Sequence, residues 1–184
     1  MARGPPRRPL PRGALVNILW APWRMEYVRG PTSGGCFLCE APAGENRPHL
    51  ILHRSRRVYI ILNTFPYNTG HLMVAPFRHI ARLEELDDEE RLDLMGTVTL
   101  GIRALEAAFH PEGFNVGLNL GRAAGAGLEH HLHLHIVPRW VGDTNFMPVL
   151  ADAKVLPEHL EATYERLQAA LAAIHSGGPA ERSA

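Results

Sequence analysis

Apolar residues recur along this chain with two different periods, and the switch between them marks the elements. The stretch "ILHRSRRVYIILN" (51–63) reads as two β segments, the second of which, Val58 to Leu62, is apolar almost throughout and suits a strand covered on both faces. "TFPYNTG" places Pro66, Asn68 and Gly70 together and predicts a turn, and "HLMVAP" predicts a third strand ended by Pro76. From Asp87 the period lengthens: Leu92, Met95, Val98, Ile102, Leu105 and Phe109 recur every three or four residues. This predicts an amphipathic helix of about five or six turns, opened by an acidic cluster and closed before Pro111 and Gly113. "GFNVGLNLG" alternates as a strand should, "RAAGAG" is a glycine-rich loop, and "HLHLHIVP" is a fifth strand ended by Pro138. A last helix starts near Pro157 and carries Leu160, Tyr164, Leu167, Leu171 and Ile174 on one stripe. Strands, a long helix, strands and a terminal helix predict an α+β fold: a largely antiparallel five-stranded sheet with one long helix and a C-terminal helix.

Composition narrows the functions open to such a fold. The 184 residues suit one domain, expected over 14–175, between a basic proline-rich arm (1–13) and a frayed tail (176–184), both expected to be disordered. Formal net charge is zero, so no global positive field points to nucleic acid, although the arginines of the arm could touch RNA. Lys154 is the sole lysine and follows Ala153, which excludes a Walker-type phosphate loop. No apolar run is long enough to span a membrane, and "ALVNILWAPW" is too broken for a signal peptide, so a cytoplasmic location is expected. The two cysteines, Cys36 and Cys39 in "GGCFLCE", exclude a disulfide framework and leave a redox pair or half of a metal site.

The densest chemistry lies in "EHHLHLHIVPRW" (129–140). On a strand, His131, His133 and His135 share one face at a spacing of about 6.6–6.8 Å, while Leu132, Leu134 and Ile136 pack into the core. Threonine, serine or charged residues would serve a merely wet face, so the imidazoles point to chemistry. Two kinds fit: metal binding with a further ligand from elsewhere, or nucleophilic catalysis by a neutral imidazole whose other nitrogen is held by an acceptor. His130 faces the opposite way.

These residues carry a resemblance. "HLHLHIVPR" resembles the signature of the histidine triad family of nucleotide hydrolases and transferases. "LNTFPYNTGHLMVAPFRHI" and "GFNVGLNLGRAAGAG" are similar to that family's nucleoside-binding strand–turn–strand and its phosphate-side strand and loop, in the right order. "WAPWRMEYV" and "VPRWVGDTNFMPV" resemble the branch that includes diadenosine tetraphosphate phosphorylases. The resemblance implies that His133 is the nucleophile toward an α-phosphorus, that His135 donates to a nonbridging phosphate oxygen, and that His71 orients His135. It implies that Asn63 reads the ribose hydroxyls and that Asn119 lies near the phosphates, with Gly121 and Gly125 allowing close backbone approach. The family often has a glutamine or serine before the triad; here Ala126 and Gly127 stand there, so the leaving-group contact falls to backbone amides. Trp140 is positioned to close over a base or to pack in the core, and Trp20 and Trp23 to pack or to line a dimer. Zinc-bearing relatives imply a structural zinc at Cys36, Cys39, His79 and His131.

No organic cofactor is expected. The implied partners are an adenine nucleotide and a second copy of the chain, with no nucleic acid and no membrane. The implied reaction is phosphorolysis or hydrolysis of dinucleoside polyphosphates. The alternatives are a nucleoside phosphoramidase of the same family, a metal-dependent hydrolase with the triad as zinc ligands, and a nucleotide-binding module without chemistry.

Overall fold

The computed structural model describes residues 35–143 and 158–177. The expected arm, Trp20, Trp23, Lys154 and most of the expected tail lie outside the described residues. Five strands form one sheet in the order β1-β2-β3-β5-β4, every pair antiparallel: β1 Ile51–Arg54, β2 Val58–Leu62, β3 Leu72–Pro76, β4 Gly113–Leu118 and β5 Leu134–Arg139. Helix α1 (Phe37–Glu40) precedes them, α2 (Asp88–Phe109) joins β3 to β4, and α3 (Leu160–His175) follows β5. The predicted α+β class, the five strands and the two long helices are all present. The short α1 was not anticipated.

Alternation along β2 assigns the two faces. Val58, Ile60 and Leu62 join Leu72, Val74, Leu134 and Ile136 under α2 and α3. Tyr59 and Ile61 join Met73 and Ala75 on the opposite face, under Leu38 and Ala41 of the Cys36 segment. The Tyr59 hydroxyl donates to the Leu38 carbonyl at 2.6 Å and anchors that segment to the sheet. At Gly101, α2 approaches closely: a Cβ there would lie 3.0 Å from Ile136 Cδ1, so any side chain would require Ile136 to shift.

The start and stop of α2 follow its end residues. Asp87 accepts from the Glu90 N–H and Glu90 accepts from the Asp87 N–H, a reciprocal cap, and His110 takes a left-handed conformation just before Pro111. Glu90 is buried and held by both forks of Arg78, at 2.7 and 2.8 Å, which drags its carboxyl down to about 2. This pair fastens the helix start to the chain just before His79.

Two expectations are corrected. The predicted helical stripe splits: Val98 and Leu105 are buried together with Leu94, Gly101 and Ala104, but Leu92 and Met95 are 78% and 56% exposed. The stripe of large apolar residues misses the phase because the buried face also uses the small or polar Thr97, Gly101 and Ala104. Regular pairing of the histidine strand also starts only at Leu134, leaving His131 and His133 just before it. Pro76 has no N–H to offer a ladder, and the Leu132 N–H instead donates to the Ile80 carbonyl at 2.6 Å. The inward side chains still alternate, since Leu132, Leu134 and Ile136 all reach the core.

Candidate functional site

Met73 lies directly opposite His135 in the β3–β5 ladder, so His135 occupies the sheet face away from the helices. His133, largely buried, lies edge-on to it with ring centroids 4.8 Å apart. His71, fully buried, immediately precedes β3 and meets His135 from the side.

The hydrogen bonds assign the protons. The Tyr67 N–H points at His71 Nδ1 at 2.9 Å, and the Asn63 amide nitrogen approaches the same atom at 3.3 Å. A backbone N–H can only donate, so Nδ1 carries the lone pair and Nε2 the proton. His71 Nε2 then donates to His135 Nδ1 at 3.0 Å. A neutral His135 therefore carries its proton on Nε2, the outward nitrogen. The Asn119 amide lies 3.4 Å from that atom, too far to compete strongly for it. His133 is oriented the other way: its Nδ1 donates to the His131 carbonyl at 2.8 Å, which leaves the Nε2 lone pair free for chemistry. Burial lowers the His133 pKa despite that bond, which favours the neutral ring. The site thus pairs an unprotonated nucleophilic nitrogen with an N–H donor beside it.

His131 turns away from this pair. Its Nε2 donates to the Pro76 carbonyl at 2.9 Å, so the lone pair is on Nδ1, 3.2 Å from Cys36 Sγ and 3.3 Å from Cys39 Sγ. His79 Nδ1 lies 3.2 Å from Cys39 Sγ. All four ligand atoms fall within 4.8 Å of one another. Tetrahedral zinc with ordinary sulfur and nitrogen bond lengths sets its ligands roughly 3.5 Å apart, so donor set and spacing fit such an ion. Burial, followed by the neighbouring Cys36, pushes the Cys39 thiol up to about 11. Among the described residues the metal-capable cluster takes only His131 from the triad, and the three imidazoles do not converge on one point.

The glycine-rich loop follows β4. Gly121 has φ +77° with open space around its Cβ position, so glycine is required there by backbone conformation rather than by crowding. Gly125 also has positive φ, Ala126 is buried and Gly127 is exposed. Trp140, half-buried, follows β5 with its backbone N–H on Asp143. Asn63 is more committed than its sequence position suggests: its amide oxygen accepts from the Phe65 N–H at 2.9 Å, which shapes the turn. Sequence reasoning passed over Tyr67, whose backbone N–H meets His71 and whose ring lies 4.6 Å from that of His71 and 5.8 Å from that of His135.

An antiparallel sheet carrying this line of histidines, with a glycine loop at its edge, has the build of a histidine triad protein. The HIT domain matches residues 44–141, just over half of the chain, and the chain belongs to that family. It is 43% identical over 157 residues to an AP-4-A phosphorylase of Mycobacterium tuberculosis, covering 80% of each chain. It is 31% identical over 93 residues, half of each chain, to an asymmetrical bis(5'-nucleosyl)-tetraphosphatase of Schizosaccharomyces pombe. Among solved structures it is similar to a Zn-bound histidine triad family protein from Mycobacterium smegmatis, with TM-score 0.64 and 27% identity over 78% of this chain and 97% of that one.

Proposed function

We propose that this enzyme cleaves dinucleoside polyphosphates, diadenosine tetraphosphate foremost, through a nucleotidyl-histidine intermediate. The observation that carries the reading is the opposite orientation of neighbouring imidazoles, His133 with a free Nε2 and His135 with an Nε2 proton. His133 Nε2 attacks the α-phosphorus, the bond to the bridging oxygen breaks, and ATP leaves. His135 donates to a nonbridging oxygen, where charge grows in the transition state. Phosphate then displaces His133 to give ADP, or water does so to give AMP. Similarity to the mycobacterial phosphorylase over most of the chain supports phosphate as the acceptor. The test is incubation with diadenosine tetraphosphate and labelled phosphate: label in ADP supports phosphorolysis, unlabelled AMP with ATP supports hydrolysis, and no turnover in either case overturns the reading.

Zinc at Cys36, Cys39, His79 and His131 fits as a structural ion that braces the nucleophile's strand. Two thiols kept as ligands suit a reducing, cytoplasmic setting; among the described residues no helix is long and apolar enough to cross a membrane.

Nucleotide recognition falls on the ribose more than on the base. Asn63 is the polar side chain assigned to the hydroxyls, and Phe65, exposed beside it, is the apolar contact left for a purine, because Ile61 and Leu62 are spent in the core. Asn63→Ala should raise the Kd of adenine and guanine nucleotides alike, by roughly threefold to tenfold, the worth of one ordinary hydrogen bond. Strong purine discrimination that survives the substitution, measured by calorimetry, would place the base elsewhere.

A homodimer is the proposed assembly. The exposed Leu92 and Met95 of α2 and the edge of β4, exposed and without a neighbouring strand among the described residues, are the surfaces that need cover. Light scattering at micromolar concentration should give twice the chain mass, and Leu92→Asp with Met95→Asp should halve it. A parent protein found only as monomer would count against the assembly.

A further inference from the structure

The turn that carries Tyr67 is fastened to the far end of the strand that carries His135. Asn68 Nδ2 donates to the Pro138 carbonyl at 3.1 Å and to Asp143 Oδ2 at 2.9 Å. The Asp143 side chain, 9% exposed, is gripped by both forks of Arg139 at 2.6 and 2.7 Å and accepts the Trp140 N–H at 3.1 Å. Asn68 also accepts the His71 N–H on its own carbonyl at 3.1 Å. The contacts close a ring: from His135 along β5 to Asp143, across to Asn68, back one residue to Tyr67, onto His71 Nδ1, and from His71 Nε2 to His135.

We propose that Asn68 and Asp143 are positioning residues that hold the Tyr67 N–H on His71 and so fix which nitrogen of His135 carries the proton. The inference rests on the reading that His135 offers its Nε2 proton to substrate. An imidazole can carry its single proton on either nitrogen. With Tyr67 in place, His71 has its proton on Nε2 and passes that choice to His135. If the turn loosens, His71 can move its proton to Nδ1 and present a lone pair to His135. His135 must then protonate at Nδ1, and the atom facing the phosphate loses its hydrogen. Two states therefore compete, and the Asn68–Asp143 contact selects the productive one. A clasp serving stability alone would leave that equilibrium untouched, so the two roles are separable.

The experiment uses the full chain labelled with ¹⁵N-histidine, read by long-range ¹H–¹⁵N spectra that report each ring's tautomer, together with steady-state kinetics on diadenosine tetraphosphate. The wild type should show His71 and His135 both protonated at Nε2. Asn68→Ala should mix the two His71 forms and lower kcat about tenfold or more, because part of a transition-state donor is lost, while KM stays within about twofold. Asp143→Asn keeps one oxygen for Asn68 and should fall between the two. A wild-type His71 protonated at Nδ1 would overturn the proposal. So would variant spectra identical to wild type, however far the melting temperature moves, and so would mixed tautomers with undiminished kcat. Should the wild type turn over no nucleotide, the functional reading fails on its own, and the ring spectra still decide whether the clasp sets the tautomer.

Discussion

His133→Ala should lose turnover by about four orders of magnitude while binding AMP within a few-fold of the parent. Losses of that size are ordinary when an enzyme's nucleophile is removed. Binding should survive because the ribose and phosphate contacts assigned to Asn63, Asn119 and the Gly121–Gly125 loop do not pass through His133. The surrounding geometry gives the substitution its meaning. His133 Nδ1 is spent on the His131 carbonyl, so only Nε2 is available, and the buried ring stays neutral. Because burial lowers its pKa below the ordinary 6.5, the neutral form persists to lower pH. The acid limb of kcat/KM should therefore fall below that value, with activity lost only as pH drops through the depressed pKa. A covalent route involves two in-line displacements at phosphorus, each inverting, so a substrate chiral at the α-phosphorus should react with net retention. Net inversion would mean a single displacement by water or phosphate, and His133 would no longer be the nucleophile. His133→Gly should regain part of its rate with added imidazole, a rescue that a purely structural histidine would not show.

Much of this site was readable before the fold was known, for a physical reason. Strand alternation assigns faces by parity, so "HLHLHIVP" already placed the imidazoles opposite Leu132, Leu134 and Ile136. Parity could not separate His131 from its neighbours. That separation arises where β3 reaches Pro76, whose carbonyl accepts from His131 and swings its Nδ1 toward the cysteines. Helix phase was less secure, because Gly101, Ala104 and Thr97 are buried although small or polar, while Leu92 and Met95 look like core and lie outside it. The acidic cluster before the long helix was read for its charge near a helix start, whereas Glu90 is buried and paired with Arg78. Least legible were the contacts made by main-chain atoms. The Tyr67 N–H, the His131 carbonyl and the Pro138 carbonyl each decide a proton or a register, and any residue can supply them.

Cys36→Ser should lower bound zinc and melting temperature together, by on the order of 10 °C, the shift expected for a loss of roughly 3–4 kcal/mol in a domain of this size. The ligand cluster ties α1, the segment after β3 and the residues before β5 at one point, and its loss would free the Cys36 segment to lift from Tyr59 and Ile61. The fall should stop short of global unfolding, because the core under α2 and α3 does not depend on the cluster and Tyr59 still holds the Leu38 carbonyl. Metal retention should weaken as pH drops. The thiols must shed protons to bind, and burial has already raised the Cys39 pKa to about 11, so acid favours the protonated, metal-free form. Activity should fall far less than with His133→Ala, by about tenfold, since His131 acts on the reaction only through the carbonyl that orients His133. Metal analysis, melting curves and kcat on the same preparation make the decision. Parallel loss of zinc and stability with modest loss of rate supports a structural ion. Protein purified without chelator that contains no metal would leave the cysteine pair as a redox or inert feature. A chelator that abolishes turnover at once without moving the melting temperature would shift the metal into the chemistry and revive the reading in which the triad itself holds a catalytic ion.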